Sequence, residues 1–146
     1  MNTLWKKHKM GCSSMKLPVI LAGPILRRTT EQNVYIWMAT SEELVIDGEV
    51  FEVSGDQSNE PSYRKISDRS KTTMLQFGEN LYIYLIKLEP LLDTFPTDQL
   101  LAYNLIFHSK YKTFDFLSPD EFQTQTITYG NHQYPTFVIN HKDNQF

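Results

Sequence analysis

Residues 17–40, LPVILAGPILRRTTEQNVYIWMAT, hold two runs rich in β-branched and aromatic residues on either side of a polar TTEQN turn, and this pairing decides for a β fold. The first run carries Pro18 and Pro24. Proline donates no ladder hydrogen bond, so this strand is predicted at a sheet edge or at a bulge. In the second run Val34, Ile36 and Met38 alternate with Tyr35, Trp37 and Ala39. Both phases are apolar, which predicts a central strand of a sandwich. Trp37 is the leading candidate for a core anchor.

Downstream, the aromatic and β-branched residues recur in short runs between turn residues, and no useful length sustains a helical period. Asp47-Gly48 within EELVIDGEVFEV (42–53) predicts a two-residue type I′ hairpin, whose register sets Val45 against Val50 and Leu44 against Phe51. The polar, turn-rich stretch 54–71 is predicted as a long loop, in which Arg64, Lys65, Arg69 and Lys71 could meet an anion, against the plainer reading of a solvated connector. Residues 72–77 and 81–88 flank Gly78-Glu79-Asn80 and predict a second tight hairpin, with Leu81, Ile83 and Leu85 sharing a face. Pro90 and Pro96 mark 89–99 as a crossover of Greek-key type. In 100–107, Leu101, Tyr103, Leu105 and Phe107 alternate with Ala102, Asn104 and Ile106, which predicts a half-buried strand. Ser118-Pro119-Asp120-Glu121 has the pattern of a single helical turn. Residues 125–129 and 136–139 supply the last strands. Seven to nine strands without a long helix give an all-β chain, an immunoglobulin- or fibronectin-III-like antiparallel β-sandwich.

The expected organisation is a disordered leader (1–16), a sandwich (17–140) and a short tail or linker (141–146). The leader matches nothing in the strand pattern, and Met15 is a plausible natural start. Lys6, Lys7, His8 and Lys9 before the apolar run resemble a secretory signal, but two prolines interrupt that run, Arg27 and Arg28 follow it, and there is no A-x-A cleavage site. Twin arginines after the apolar stretch are also in the wrong order for twin-arginine export, and Met10-Gly11-Cys12 lacks the context for lipidation.

At 146 residues, 40% hydrophobic and 13% aromatic, the chain is long enough to bury one core. A net charge of −3 and a pI near 5.8 give no long-range attraction for nucleic acid or an anionic membrane, and neither is expected as a partner. The single Cys12 excludes an internal disulfide and suits a reducing, cytoplasmic setting.

Chemistry-bearing motifs are sparse. Gly130-Asn131-His132 copies the start of the GNH[DE] motif of calcineurin-like metallophosphoesterases, but Gln133 takes the acidic position, and no Asp is followed two residues later by His. A two-metal centre needs several converging carboxylates and imidazoles. His8, His108, His132 and His141 have no ligand spacing, Cys12 has no local partner, and no G-x-S-x-G or phosphate loop occurs. No catalytic, cofactor-binding or metal residue is therefore assigned.

Taken together, LPVILAGPILRR, VYIWMATS, GENLYIYLIKLEP, FPTDQLLAYNL and YPTFVI resemble, in order and spacing from about residue 17 to 139, the N-terminal accessory domain of PhoD-like phosphatases, the alkaline phosphatase D family of metallophosphatases. The resemblance implies a β-sandwich that precedes a calcineurin-like catalytic domain. Divalent or trivalent metal ions are then expected only in that domain, with no cofactor in this chain, which alone is expected to be inactive. The catalytic domain is the implied partner. Gly23, Pro24, Arg27, Arg28, Trp37, Tyr103, Pro135 and Phe137 carry over as architectural positions. Arg27 and Arg28 are candidate domain-interface residues through carboxylates of the partner, against a plain sheet-edge role. The alternative is a free-standing binding or adhesion sandwich, because such folds host many unrelated functions.

Overall fold

The described residues of the computed structural model, 17–55, 60–118, 128 and 132–141, form nine strands and no helix. They are β1 (Ile20–Thr29), β2 (Val34–Thr40), β3 (Val45–Ser54), β4 (Ser62–Ser67), β5 (Arg69–Gln76), β6 (Tyr82–Glu89), β7 (Leu100–His108), β8 (Thr113–Phe114) and β9 (Thr136–Val138). One sheet has the order β1-β2-β6-β5, and the other β4-β3-β7-β8 with β9 also on β7. Every pairing is antiparallel. The fold is an all-β sandwich.

The alternation of each strand selects its inner face. Val34, Ile36 and Met38 of β2 and Tyr84, Ile86 and Leu88 of β6 meet Ile46 and Val50 of β3 and Leu101, Tyr103, Leu105 and Phe107 of β7, all at most 3% exposed. The Tyr84 hydroxyl accepts the Leu44 N–H at 2.8 Å and so ties the two sheets at one end of the core. Burial pushes the Tyr84 phenol above its ordinary range, partly offset by that hydrogen bond.

Several sequence expectations hold. β1 is an edge strand whose register shifts between Ala22 and Ile25, at the Gly23–Pro24 step, which is a cis peptide. Gly23 has φ +95°, and a Cβ there would stand 2.7 Å from the Trp37 carbonyl oxygen, so the bulge requires glycine. β2 is central, between β1 and β6. The β5–β6 hairpin forms with Met74 opposite Tyr84, and Gly78 supplies the left-handed residue at φ +74°. The β6–β7 connection crosses between sheets, with Phe95 buried at its centre and its N–H donating to the Glu31 carbonyl at 2.8 Å.

Four expectations are corrected. Asp47-Gly48 is no turn: β3 runs unbroken through it, with Asp47 opposite Ile106 and Gly48 opposite Leu105, so Val45 faces His108 and Val50 faces Tyr103. Glycine is needed there for the approach of the sheets, since a Cβ on Gly48 would lie 2.3 Å from Leu88 Cδ2. The described residues of the polar stretch 54–71 are mostly strand. β4 pairs with β3 in one sheet, and after Asp68 the chain switches to the other sheet as β5. Ser67 sits fully buried at that corner, donating its hydroxyl to the Glu89 carbonyl and accepting the Arg69 N–H at 3.2 Å. Trp37 is half-buried on the outer face of its sheet, because Ile36 and Met38 hold the inward phase. β7 is buried on both faces, with Ala102 and Asn104 at 0% and 1% exposure.

The leader 1–16 with Cys12 and His8, the helical turn expected at 118–121 beyond Ser118, most of the strand expected at 125–129, Gly130 and Asn131, and the tail from 142 lie outside the described residues.

Candidate interaction face

The cross-strand registers place three rows of side chains on the outer face of the four-stranded sheet. Residues directly opposite in an antiparallel ladder share a face, so each row follows from the pairing. The first row is Ala22, Ala39, Ile83 and Leu75, and the second is Ile25, Trp37, Leu85 and Thr73. The third is Arg28, Tyr35, Lys87 and Lys71. Ile25, Leu85 and Leu75 are exposed to 45%, 40% and 60%, and Phe77 just past β5 to 53%. Such a continuous apolar strip, bordered by charge, is what interaction surfaces present.

The sequence candidates Arg27 and Arg28 both lie exposed on β1, and neither has an ion-pair partner among the described residues. Arg28 joins the third row, and Arg27 occupies the register shift between Leu26 and Arg28. Beside them Lys71 and Lys87 approach one carboxylate oxygen, Glu89 Oε1, at 3.7 and 4.0 Å. Lys87 does not stand out in the sequence, and Lys71, which there joins Arg64, Lys65 and Arg69 as able to meet an anion, comes beside it only through the β5–β6 register.

The outer face of the five-stranded sheet is built differently. Tyr134 stacks on Phe51 with centroids 4.9 Å apart and meets Tyr63 edge-on at 5.0 Å. The resulting cluster covers Ala102. Next to it Asn104 donates to Glu49 Oε1 at 3.0 Å and Asp115 Oδ2 at 3.3 Å, and accepts the Phe116 N–H at 3.4 Å. Lys65 Nζ lies 2.9 Å from Glu49 Oε2, and this hydrogen bond, reinforced by the carboxylate charge, holds the ammonium above its ordinary range. Burial, followed by the charges of Asp115 and Glu49, raises the Tyr134 phenol. This network satisfies its own buried polar groups.

His132 is placed against Tyr63, with Nδ1 3.4 Å from the phenol oxygen, which also accepts the Gln133 N–H at 2.8 Å. It is a buttress of the aromatic cluster. His108 Nε2 lies 3.1 Å from Asp47 Oδ2 and Nδ1 lies 3.2 Å from Thr113 Oγ1. This chain borders an open cleft of about 1250 Å³ that also includes Leu44, Tyr84 and Tyr111. The His108 and Asp47 side chains are 40% and 61% exposed, so water screens the pair, and the contacts fix the turn into β8. Among the described residues, no group of three or more His, Cys, Asp or Glu side chains is arranged to hold a metal ion. Nor is any helix among them long and apolar enough to cross a membrane.

No protein-family model matches the chain, and no curated protein or solved structure does so either.

Proposed function

We propose that this chain is a non-catalytic β-sandwich module that packs against a partner domain through the outer face of its four-stranded sheet. The observation that carries this reading is the strip formed by Ile25, Trp37, Leu85, Ile83 and Leu75, which no described residue of the chain covers as Tyr134 covers the opposite sheet. Removing several exposed aliphatic side chains from water in one contact supplies the main driving force of association. The sequence resemblance suggests the partner, a PhoD-like metallophosphatase catalytic domain, which would contribute all metal ions and all chemistry. An immunoglobulin- or fibronectin-III-like kinship and a cytoplasmic setting belong to the same reading.

The test is sedimentation of this chain mixed with a separately expressed PhoD-like catalytic domain whose folding is verified by its own phosphodiester hydrolysis. A one-to-one complex is expected, and Leu85→Asp abolishes it without lowering the melting temperature. No complex at 100 μM of each, a concentration at which even about micromolar affinity is visible, contradicts the reading. A free-standing adhesion module is the second reading, supported by the same exposed strip, and it gains if the chain binds a different surface through the same residues.

A further inference from the structure

We infer that the partner surface facing this sheet is an apolar patch bordered on one side by aspartate or glutamate carboxylates, which meet the Arg28–Lys87–Lys71 row and fix the orientation of the complex. The inference rests on the docking reading above and adds the chemistry of the partner. Along the sheet, the face changes character within one strand repeat. The two rows through Ala39 and Trp37 carry no charge, whereas the row through Tyr35 carries Arg28, Lys87 and Lys71. Arg69, paired with Glu89, adds a fourth cation at the end of the same face.

Among the described residues, only Glu89 forms ion pairs with members of this group. Its Oε1 is buried and makes no hydrogen bond to a described group, and Lys71 and Lys87 stand 3.7 and 4.0 Å away. Those distances exceed hydrogen-bond length, so the ammonium donors remain available for another acceptor. The cationic border therefore stands on a chain whose overall net charge is −3. A planar guanidinium at one end and two ammonium groups further along suit a line of carboxylates, with Arg28 able to bind one in two-pronged fashion.

The same charges argue against a second copy of this chain as occupant. The three rows of the face contain no carboxylate, so a symmetric face-to-face dimer would set cations against cations or against the aliphatic strip. Like-charge juxtaposition is a strong means of excluding a partner. A partner with an acidic border satisfies the basic row and the strip at once.

The test measures association and dissociation rates between this chain and the PhoD-like catalytic domain at several salt concentrations, for wild type, Leu85→Asp and the triple variant Arg28→Glu, Lys71→Glu, Lys87→Glu. Circular dichroism and melting temperature confirm that each variant folds. The triple variant is expected to slow association by about ten- to a hundredfold and to lose the decline of association rate with added salt, since border charges act chiefly on encounter. Leu85→Asp is expected to abolish the complex. If Leu85→Asp abolishes it and the triple variant leaves rate and salt dependence unchanged, the acidic border is overturned while docking stands. If wild type forms no complex, or Leu85→Asp leaves it intact, the docking reading itself falls and the inference with it. Self-association of the chain that Leu85→Asp removes, or adsorption to phosphatidylglycerol vesicles that the triple variant removes, would also overturn the assignment, by naming a second copy or a lipid surface as the occupant.

Discussion

Gly48 of β3 lies directly beneath Leu88 of β6, so close that a Cβ on Gly48 would stand 2.3 Å from Leu88 Cδ2 and 3.3 Å from Leu105 Cδ2. The two sheets thus approach one another through a missing side chain. Leu88 and Leu105 are fully buried within the core cluster. Gly48→Ala is expected to destabilise the fold by about 1–3 kcal/mol through overpacking. Shortening the opposing residue should relieve part of that, so Leu88→Val in the Gly48→Ala background should cost less than the sum of the two single changes. Urea unfolding of the four proteins checks this, and simple additivity would contradict it.

The neighbouring backbone gives an independent check. β4 pairs with β3 only from Val50 onward, and before it two hydroxyls of β5 stand in for a strand: Gly48 N–H donates to Ser70 Oγ at 3.1 Å, and Thr72 Oγ1 donates to the Ile46 carbonyl at 3.0 Å. Ser70→Ala leaves the Gly48 N–H without that acceptor, at a cost of about 1 kcal/mol. Faster hydrogen exchange at the Gly48 amide is expected, and unchanged exchange would show that the contact is not formed.

Trp37 and Ile36 are adjacent in β2 but face opposite ways. Ile36 is fully buried, whereas Trp37 is half-buried on the outer face. Ile36→Ala is expected to cost about 2–5 kcal/mol as a core cavity, and Trp37→Ala less, about 1–2 kcal/mol, because its partly exposed site on the outer face leaves no closed cavity. Acrylamide should quench Trp37 fluorescence readily in a Trp5→Phe background. A Trp37→Ala cost equal to that of Ile36→Ala would contradict the placement.

These residues also show what the sequence could and could not convey. The β5–β6 hairpin was legible because turn glycine and strand pattern agreed, and alternation located β7 without showing that its second face is covered as well. In β2 both phases are apolar, so alternation located the strand without saying which phase faces inward, and residue size favoured Trp37. Asp47-Gly48 has the local chemistry of a turn, and only the opposing Leu88 explains a glycine inside a strand. β4 and the first residues of β5 were hidden because their inward positions include buried Ser67 and part-buried Ser70, whose hydroxyls bind backbone across the sandwich in place of apolar side chains. The interaction face needed the register itself. Arg28 stood out in the sequence, but Lys71 and Lys87, far from it along the chain, join its row only through β2 and β6.

Tyr103 makes stability sensitive to alkaline pH. Burial between the sheets pushes its phenol well above the ordinary value of about 10. Below about pH 10 the phenol is neutral in both folded and unfolded chains, and its contribution is complete. Above that the unfolded chain releases the proton first, so stability falls as pH rises. Tyr103→Phe should flatten the decline of the urea midpoint between about pH 10 and 11.5, with the rest carried by other phenols such as buried Tyr84 and part-buried Tyr134, whose values are also raised. Identical slopes for the variant and the wild type would contradict this.

Docking through the four-stranded sheet is tested most directly by following the backbone amide resonances of the ¹⁵N-labelled chain while the unlabelled PhoD-like catalytic domain is added. The largest shifts and losses of intensity are expected at Ile25, Arg28, Tyr35, Trp37, Leu75, Ile83, Leu85 and Lys87, with Phe51, Tyr63, Ala102 and Asn104 of the opposite sheet left in place. Perturbations gathered on those four residues, or none at all at saturating domain, would contradict the account.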